Sequence, residues 1–153
     1  MLKEAGIKVD HHYMPDLPGS TLKKDFAMFK YVFSSPDLQP DQIKIYPCIV
    51  HAKSALYRWL KDGKYKPYSP KKLIELLLKI KKIVPPYVRI NRLIRDIPKE
   101  SIIAGNKVTN LRQYLNQLAK EQGWSCQCIH CREIRDNNAD IKKAKLIFRQ
   151  YQA

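Results

Sequence analysis

The chain has 153 residues and carries 29 lysines and arginines against 14 acids, a formal charge of +15. With 44% hydrophobic residues it can bury a core, which excludes a disordered chain, and its length suits one compact domain. No apolar run approaches the roughly 20 residues that span a bilayer, the opening MLKEAGIKVDHH has no secretory signal, and four cysteines make no disulfide framework. A cytoplasmic protein without a membrane partner is expected.

The charge is uneven. Between Lys44 and Arg95 there are 14 basic residues and two acids, Asp62 and Glu75. Such a field attracts polyanions, although a lysine-rich solvated surface gives the same composition.

In chain order, residues 1–6 read as a helix tail closed by Gly6, IKVDHHYM as a buried strand, and PDLPGS as a loop. TLKKDFAMFKYVFS has apolar residues at 22, 26, 29 and 33, the spacing of a helix. QIKIYPCIV reads as one strand and ALYRWLKDG as a short helix stopped by Gly63. SPKKLIELLLKIKKIV is the clearest helix: Ser69 caps it, Pro70 takes the first position, and Leu73, Leu76, Leu77, Ile80, Ile83 and Val84 make its apolar face. Lys72, Glu75, Lys79 and Lys82 form a solvated face. YVRINRLIRDI returns as a strand, NLRQYLNQLAKEQG as a last helix, and KLIFRQYQ as a final strand. Alternation of strands and helices predicts an α/β fold with a parallel sheet and helical crossovers.

Cys126, Cys128 and Cys131 are packed into six residues. Thiolates at that spacing suit zinc or an iron–sulfur cluster, and structural zinc fits the spacing better. A closed tetrahedral site wants a fourth ligand; His130 lies within the motif, and His12, His51, Cys48 and Asp96 are available through the fold. A distant residue is the expected choice.

The stretch LYRWLKDGKYKPYSP interleaves Tyr57, Trp59, Tyr65 and Tyr68 with Arg58, Lys61, Lys64 and Lys66. Aromatic faces stack unpaired bases while cations hold phosphates; the plainer reading makes Trp59 a half-buried packing residue. In RINRLIRD, strand alternation puts Arg89 and Arg95 on one face and Arg92 on the other. No P-loop, nucleophile elbow or paired-carboxylate signature is present.

Five stretches, HHYMPDLPGST, IKIYP, LYRWLKDGKYKPYSP, IVPPYVRINRLIRDIP and CQCIHCREIR, resemble in this order the catalytic subunit of Elongator. That family modifies the wobble uridine of tRNA with a radical S-adenosylmethionine domain and an acetyltransferase domain. The resemblance implies a partial (β/α) barrel, the C-terminal part of the radical domain, over residues 1–122, then a zinc-binding connector over 123–153. The iron–sulfur cysteines would lie upstream and the acetyltransferase domain downstream. It implies that Cys126, Cys128 and Cys131 bind structural zinc and that Lys44, Tyr46, Arg89, Arg92 and Arg95 line a tRNA-facing barrel. It implies further that Lys64, Lys66 and Tyr68, in the matching KYKPY stretch, contact tRNA. The 4Fe–4S cluster, S-adenosylmethionine and acetyl-CoA of the family would not be fully bound here. The chain alone is expected to be inactive, with the missing parts encoded separately. A stand-alone zinc-containing RNA-binding module without chemistry is the alternative.

Overall fold

Residues 2–95, 97–108, 110–135, 140–148 and 150 are described by a computed structural model. After a turn over residues 2–6, β1 (Asp10–Tyr13) leads into α1 (Leu22–Ser34), and β2 (Gln42–Ile45) is followed at once by β3 (Ile49–His51). Two helices, α2 (Ala55–Lys61) and α3 (Pro70–Ile83), precede β4 (Arg89–Arg92) and β5 (Ile102–Gly105). The chain then forms α4 (Leu111–Glu121) and one helical turn, α5 (Ile129–Arg132).

β1, β2 and β4 form a parallel sheet in that order, as the alternation predicts, while β3 and β5 pair antiparallel in a second, two-stranded sheet. The described strands do not close into a barrel. One side of the parallel sheet is covered by helices. Ile43, Ile45 and Ile90 meet Phe29, Val32 and Phe33 of α1, Leu73, Leu77 and Ile80 of α3, and Leu111, Leu115 and Ala119 of α4 in one buried cluster. The other side is polar. Lys44 Nζ lies 2.9 Å from Asp10 Oδ2 and 3.0 Å from His12 Nε2, and Asn91 donates to Gln42. A parallel sheet is ordinarily covered on both faces; here the second face carries polar side chains among the described residues.

The helices begin where local chemistry starts them. Thr21 Oγ1 accepts the Lys24 N–H at 3.2 Å at the head of α1, and Ser69 Oγ accepts the Lys72 N–H at 3.4 Å at the head of α3.

Several expectations are corrected. Residues 2–6 are turns rather than a helix tail, although Gly6 has the positive φ expected of it, 76°. QIKIYPCIV is two strands in two sheets. Pro47 has no N–H to give a ladder, and the chain leaves the parallel sheet at Tyr46–Cys48. The strand in YVRINRLIRDI stops at Arg92. Arg89 pairs with Gln42 and Arg92 with Lys44, two residues of one face, because the register slips beside Ile43 and Lys44. The slip undoes the simple alternation, and Arg95 lies beyond the strand. Residues 145–148 of KLIFRQYQ are not a strand, and Arg149, Tyr151 and Gln152 lie outside the described residues. β5 was not anticipated; its Gly105 has φ 103°, and a Cβ there would stand 2.8 Å from the Cys48 carbonyl oxygen, so only glycine fits.

Two buried aspartates join the first loop to the segment before α3. The Asp16 carboxylate accepts the Tyr68 N–H at 2.9 Å from Oδ2, and Tyr65 Oη donates to the Asp16 carbonyl at 2.7 Å. Burial, opposed by the Tyr68 N–H and reinforced by the charge of Asp25, pushes the Asp16 carboxyl up to about 7. Between its ordinary value of 3.8 and about 7 the folded protein holds a proton that the unfolded chain has released. Stability therefore falls as pH rises through that window and levels off above it, by about 4 kcal/mol at most. Asp16 has φ 69°, a conformation asparagine tolerates well. Asp16→Asn is expected to flatten the dependence and to stabilise the protein at pH 8 by about 1–3 kcal/mol. Urea unfolding at pH 5 and pH 8 measures this; an unchanged slope in the variant would show that Asp16 is not the group responsible.

Candidate functional site

Gly123, at φ 77°, ends α4 and turns the chain back, with the Trp124 N–H donating to the Ala119 carbonyl at 3.0 Å. The following residues enter the main core: Cys126 and Cys128 are buried in it, and Cys131 is packed against it. The Cys131 N–H donates to the Cys128 carbonyl at 3.0 Å, closing the turn. The Ile129 N–H bonds the Val88 carbonyl at 3.1 Å, which fixes that turn against the start of β4. Arg132 clamps the same corner through the carbonyls of Gln127 and Pro86, and Arg89 pairs with Glu133.

The three sulfurs lie within 4.8 Å of one another, against about 3.8 Å for thiolates on one tetrahedral dication. A small contraction would bring them onto one metal ion. Lys81 Nζ stands 3.6 Å from Cys131 Sγ, Asn116 Oδ1 3.8 Å and Arg112 Nη1 4.0 Å. Hydrogen bonds from the other two thiols, together with the Lys81 and Arg112 charges, hold the Cys131 thiol far below its usual range. Cys126 is pushed up, chiefly by its hydrogen bonds with Cys128 and Cys131.

No fourth His, Cys, Asp or Glu joins the cluster among the described residues. His130 turns away to Arg135 and Glu133, with burial and the Arg112 and Arg135 charges lowering its pKa. His12 packs edge-on against Tyr46, His51 sits on β3, and Cys48 belongs to a separate small cluster with Val50 and Tyr65. Asp96 lies outside the described residues. The expected distant protein ligand is therefore not found among the candidates described. Lys81, by contrast, was missed. Its position four residues after Leu77 and three before Val84 puts it on the apolar stripe of α3, and that was the available signal.

A cavity of about 660 Å³ opens over the carboxyl ends of the parallel strands. Met14 follows β1, Tyr46 and Pro47 follow β2, and Ile94 and Arg95 follow β4; Ile49, His51 and Ile102 wall it from the second sheet. This is the end of an α/β sheet at which ligands are bound.

The residues proposed for nucleic acid are only partly gathered at that end. Tyr46 and Arg95 line the cavity, whereas Lys44 lies on the polar face of the sheet. Arg92 is exposed at the end of β4, while Arg89 is half-buried against Glu133 at its start. Lys64 and Lys66 are exposed, Lys64 lying 3.5 Å from Asp62. Tyr68 donates its hydroxyl to Asp25 Oδ2 at 2.8 Å, and its own deprotonation is pushed upward by burial and by that bond. Trp59, expected as a packing residue, is 48% exposed and stands outside the neighbouring cluster of Leu56, Tyr57 and Leu60.

Comparison with known proteins decides the family: the Radical_SAM C-terminal domain matches residues 40–121. The chain belongs to the radical SAM C-terminal domain family. This radical SAM C-terminal domain is 40% identical over 159 aligned residues to the tRNA uridine(34) acetyltransferase of Methanocaldococcus jannaschii, covering 100% of the chain and 29% of that protein. It is 44% identical to the enzyme of the same name from Dehalococcoides mccartyi, over 87% of the chain and 29% of the relative. It is 38% identical to human Elongator complex protein 3, over 99% of the chain and 27% of the relative. The structure matches Methanocaldococcus infernus Elp3 lacking its N-terminus with a TM-score of 0.89 and 39% identity, over 99% of this chain and 37% of that one. The resemblance to the Elongator catalytic subunit thus holds over the whole sequence, and the chain spans under a third of the length of these curated relatives.

Proposed function

We propose that this chain supplies the C-terminal barrel wall and the tRNA-contacting surface of a wobble-uridine carboxymethylating enzyme. The observation that carries the reading is the cavity at the carboxyl ends of β1, β2 and β4, with Tyr46 and Arg95 in its wall beside a sheet whose uncovered face is polar. Exposed Lys64, Lys66, Arg92 and Arg95 would hold phosphates, and Tyr46 would face a base. On this reading residues 1–122 are barrel and residues 123–153 a connector leading towards an acetyltransferase domain.

Cys126, Cys128 and Cys131 would hold structural zinc. Sulfurs this close suit one ion better than a four-iron cluster, whose thiolates sit on separate iron atoms. Zinc would supply a fixed cross-link between α5 and the core. The 4Fe–4S cluster, S-adenosylmethionine and acetyl-CoA would be held by other parts of the enzyme, and the chain by itself would bind tRNA in the cytoplasm without turning it over. A stand-alone RNA-binding module is the second reading, favoured by the 14 basic residues between Lys44 and Arg95. Complementation by separately supplied radical and acetyltransferase parts would separate the two: restored uridine modification supports the enzyme, and none supports the module.

The purified chain is expected to bind tRNA with an affinity that falls steeply with salt. Arg92→Glu with Arg95→Glu should weaken binding and reduce the salt slope by about 2. Filter binding between low and physiological salt measures this; absent or salt-insensitive binding by the wild-type chain overturns the nucleic-acid reading.

A further inference from the structure

Lys81 is the least expected residue of the core. Its side chain is 1% exposed within the cluster formed by α1, α3 and α4, where a lysine is rarely found without a counter-charge. Among the described residues no carboxylate lies within ion-pair reach of its Nζ, and its hydrogen-bond partner is Cys131 Sγ at 3.6 Å. A buried ammonium of this kind is stable only opposite a negative charge.

The cysteine cluster supplies that charge. Three thiolates on a dication leave one net negative charge. Of the two cations beside Cys131, Arg112 is committed elsewhere: its Nη2 donates to the Ile90 carbonyl at 2.7 Å and the Asn91 carbonyl at 3.1 Å, tying α4 to β4. Lys81 has no such second duty. We infer that Lys81 is a positioning residue of the metal centre, donating an N–H to the Cys131 sulfur and neutralising the metal–thiolate unit from within the core. The inference rests on the zinc reading above. It assigns to α3 a task that its amphipathic pattern conceals: α3 carries the counter-charge, so the metal would join α3 to α5.

Lys81→Met tests it, because methionine keeps an unbranched stem and removes only the charged end. In chelator competition on the full chain the variant is expected to bind zinc about 10–100-fold more weakly than wild type. With cobalt in place of zinc, its visible ligand-field bands should keep the wild-type pattern, since no direct ligand is lost. With the metal stripped, the variant should lose less urea resistance relative to wild type than it loses with zinc bound, because the Lys81 contact then serves the fold alone.

Unchanged zinc affinity would overturn the inference. So would an altered cobalt spectrum, which would make Lys81 a ligand in its own right. A loss as large without zinc as with it would reduce Lys81 to a packing stem and overturn the inference as well. A wild-type chain that takes up no zinc would instead overturn the underlying metal reading, an outcome read before any variant is made.

Discussion

Stripping zinc from the wild-type chain is expected to cost more stability than any surface substitution. The chain as purified under reducing conditions should carry about one zinc, bound by Cys126, Cys128 and Cys131. Cys126 and Cys128 lie inside the main hydrophobic cluster, and the turn that holds them is bonded to Val88 at the head of β4. Release of the ion would therefore loosen the start of β4 and the turn that follows α4 together. At a free zinc concentration about 1,000-fold above the dissociation constant, linkage alone amounts to about 4 kcal/mol. Cys128→Ala should lose the metal and at least that stability, since Cys128 is fully buried and its sulfur has neighbours on every side. Thermal unfolding with and without a strong chelator, alongside metal analysis, measures both effects. A folded, metal-free, reduced chain with an unchanged midpoint would refute the zinc assignment.

The sequence disclosed those parts of the molecule whose causes are local. α1, α3 and α4 carry their apolar stripes within one segment, and Thr21 and Ser69 mark the starts of the first two in place. The cysteine turn was equally readable, because its three cysteines lie within six residues. What escaped depends on partners far along the chain. The division of QIKIYPCIV between two sheets is set by β5, whose residues IIAG pair with Ile49–His51 across more than fifty positions and give little strand signal alone. The face occupied by Arg92 follows from a register slip that no alternation rule contains. Lys81 was hidden by its charge: a residue type assigned to solvent stands at a core position, and its partner there, Cys131, lies 50 residues away.

Asp25→Ala is expected to destabilise the protein by about 3–5 kcal/mol, the second large effect. Asp25 is 4% exposed in the first turn of α1 and accepts three hydrogen bonds, from the Asp16 N–H at 2.8 Å, from Tyr68 Oη at 2.8 Å and from the Ser20 hydroxyl. Removing the carboxylate strands three donors in a dry site and takes a favourable negative charge from the helix N-terminus. Tyr68→Phe removes one of those donors and should cost only about 1 kcal/mol. In the Asp25→Ala background the same change should cost less, because the hydroxyl it deletes is already unpartnered. The damage should reach the proposed tRNA-contacting segment as well. Asp16, which Asp25 holds through its N–H, in turn anchors the Tyr65 hydroxyl and the Tyr68 N–H; Lys66 lies between these two tyrosines and Lys64 just before them. Asp25→Ala should therefore weaken tRNA binding while leaving the number of available cations, and so the salt slope, nearly unchanged. Arg92→Glu with Arg95→Glu should do the reverse, lowering the slope without unfolding the chain. Loss of slope in Asp25→Ala together with full stability would mean that Asp25 acts through charge at the surface rather than by holding the loop.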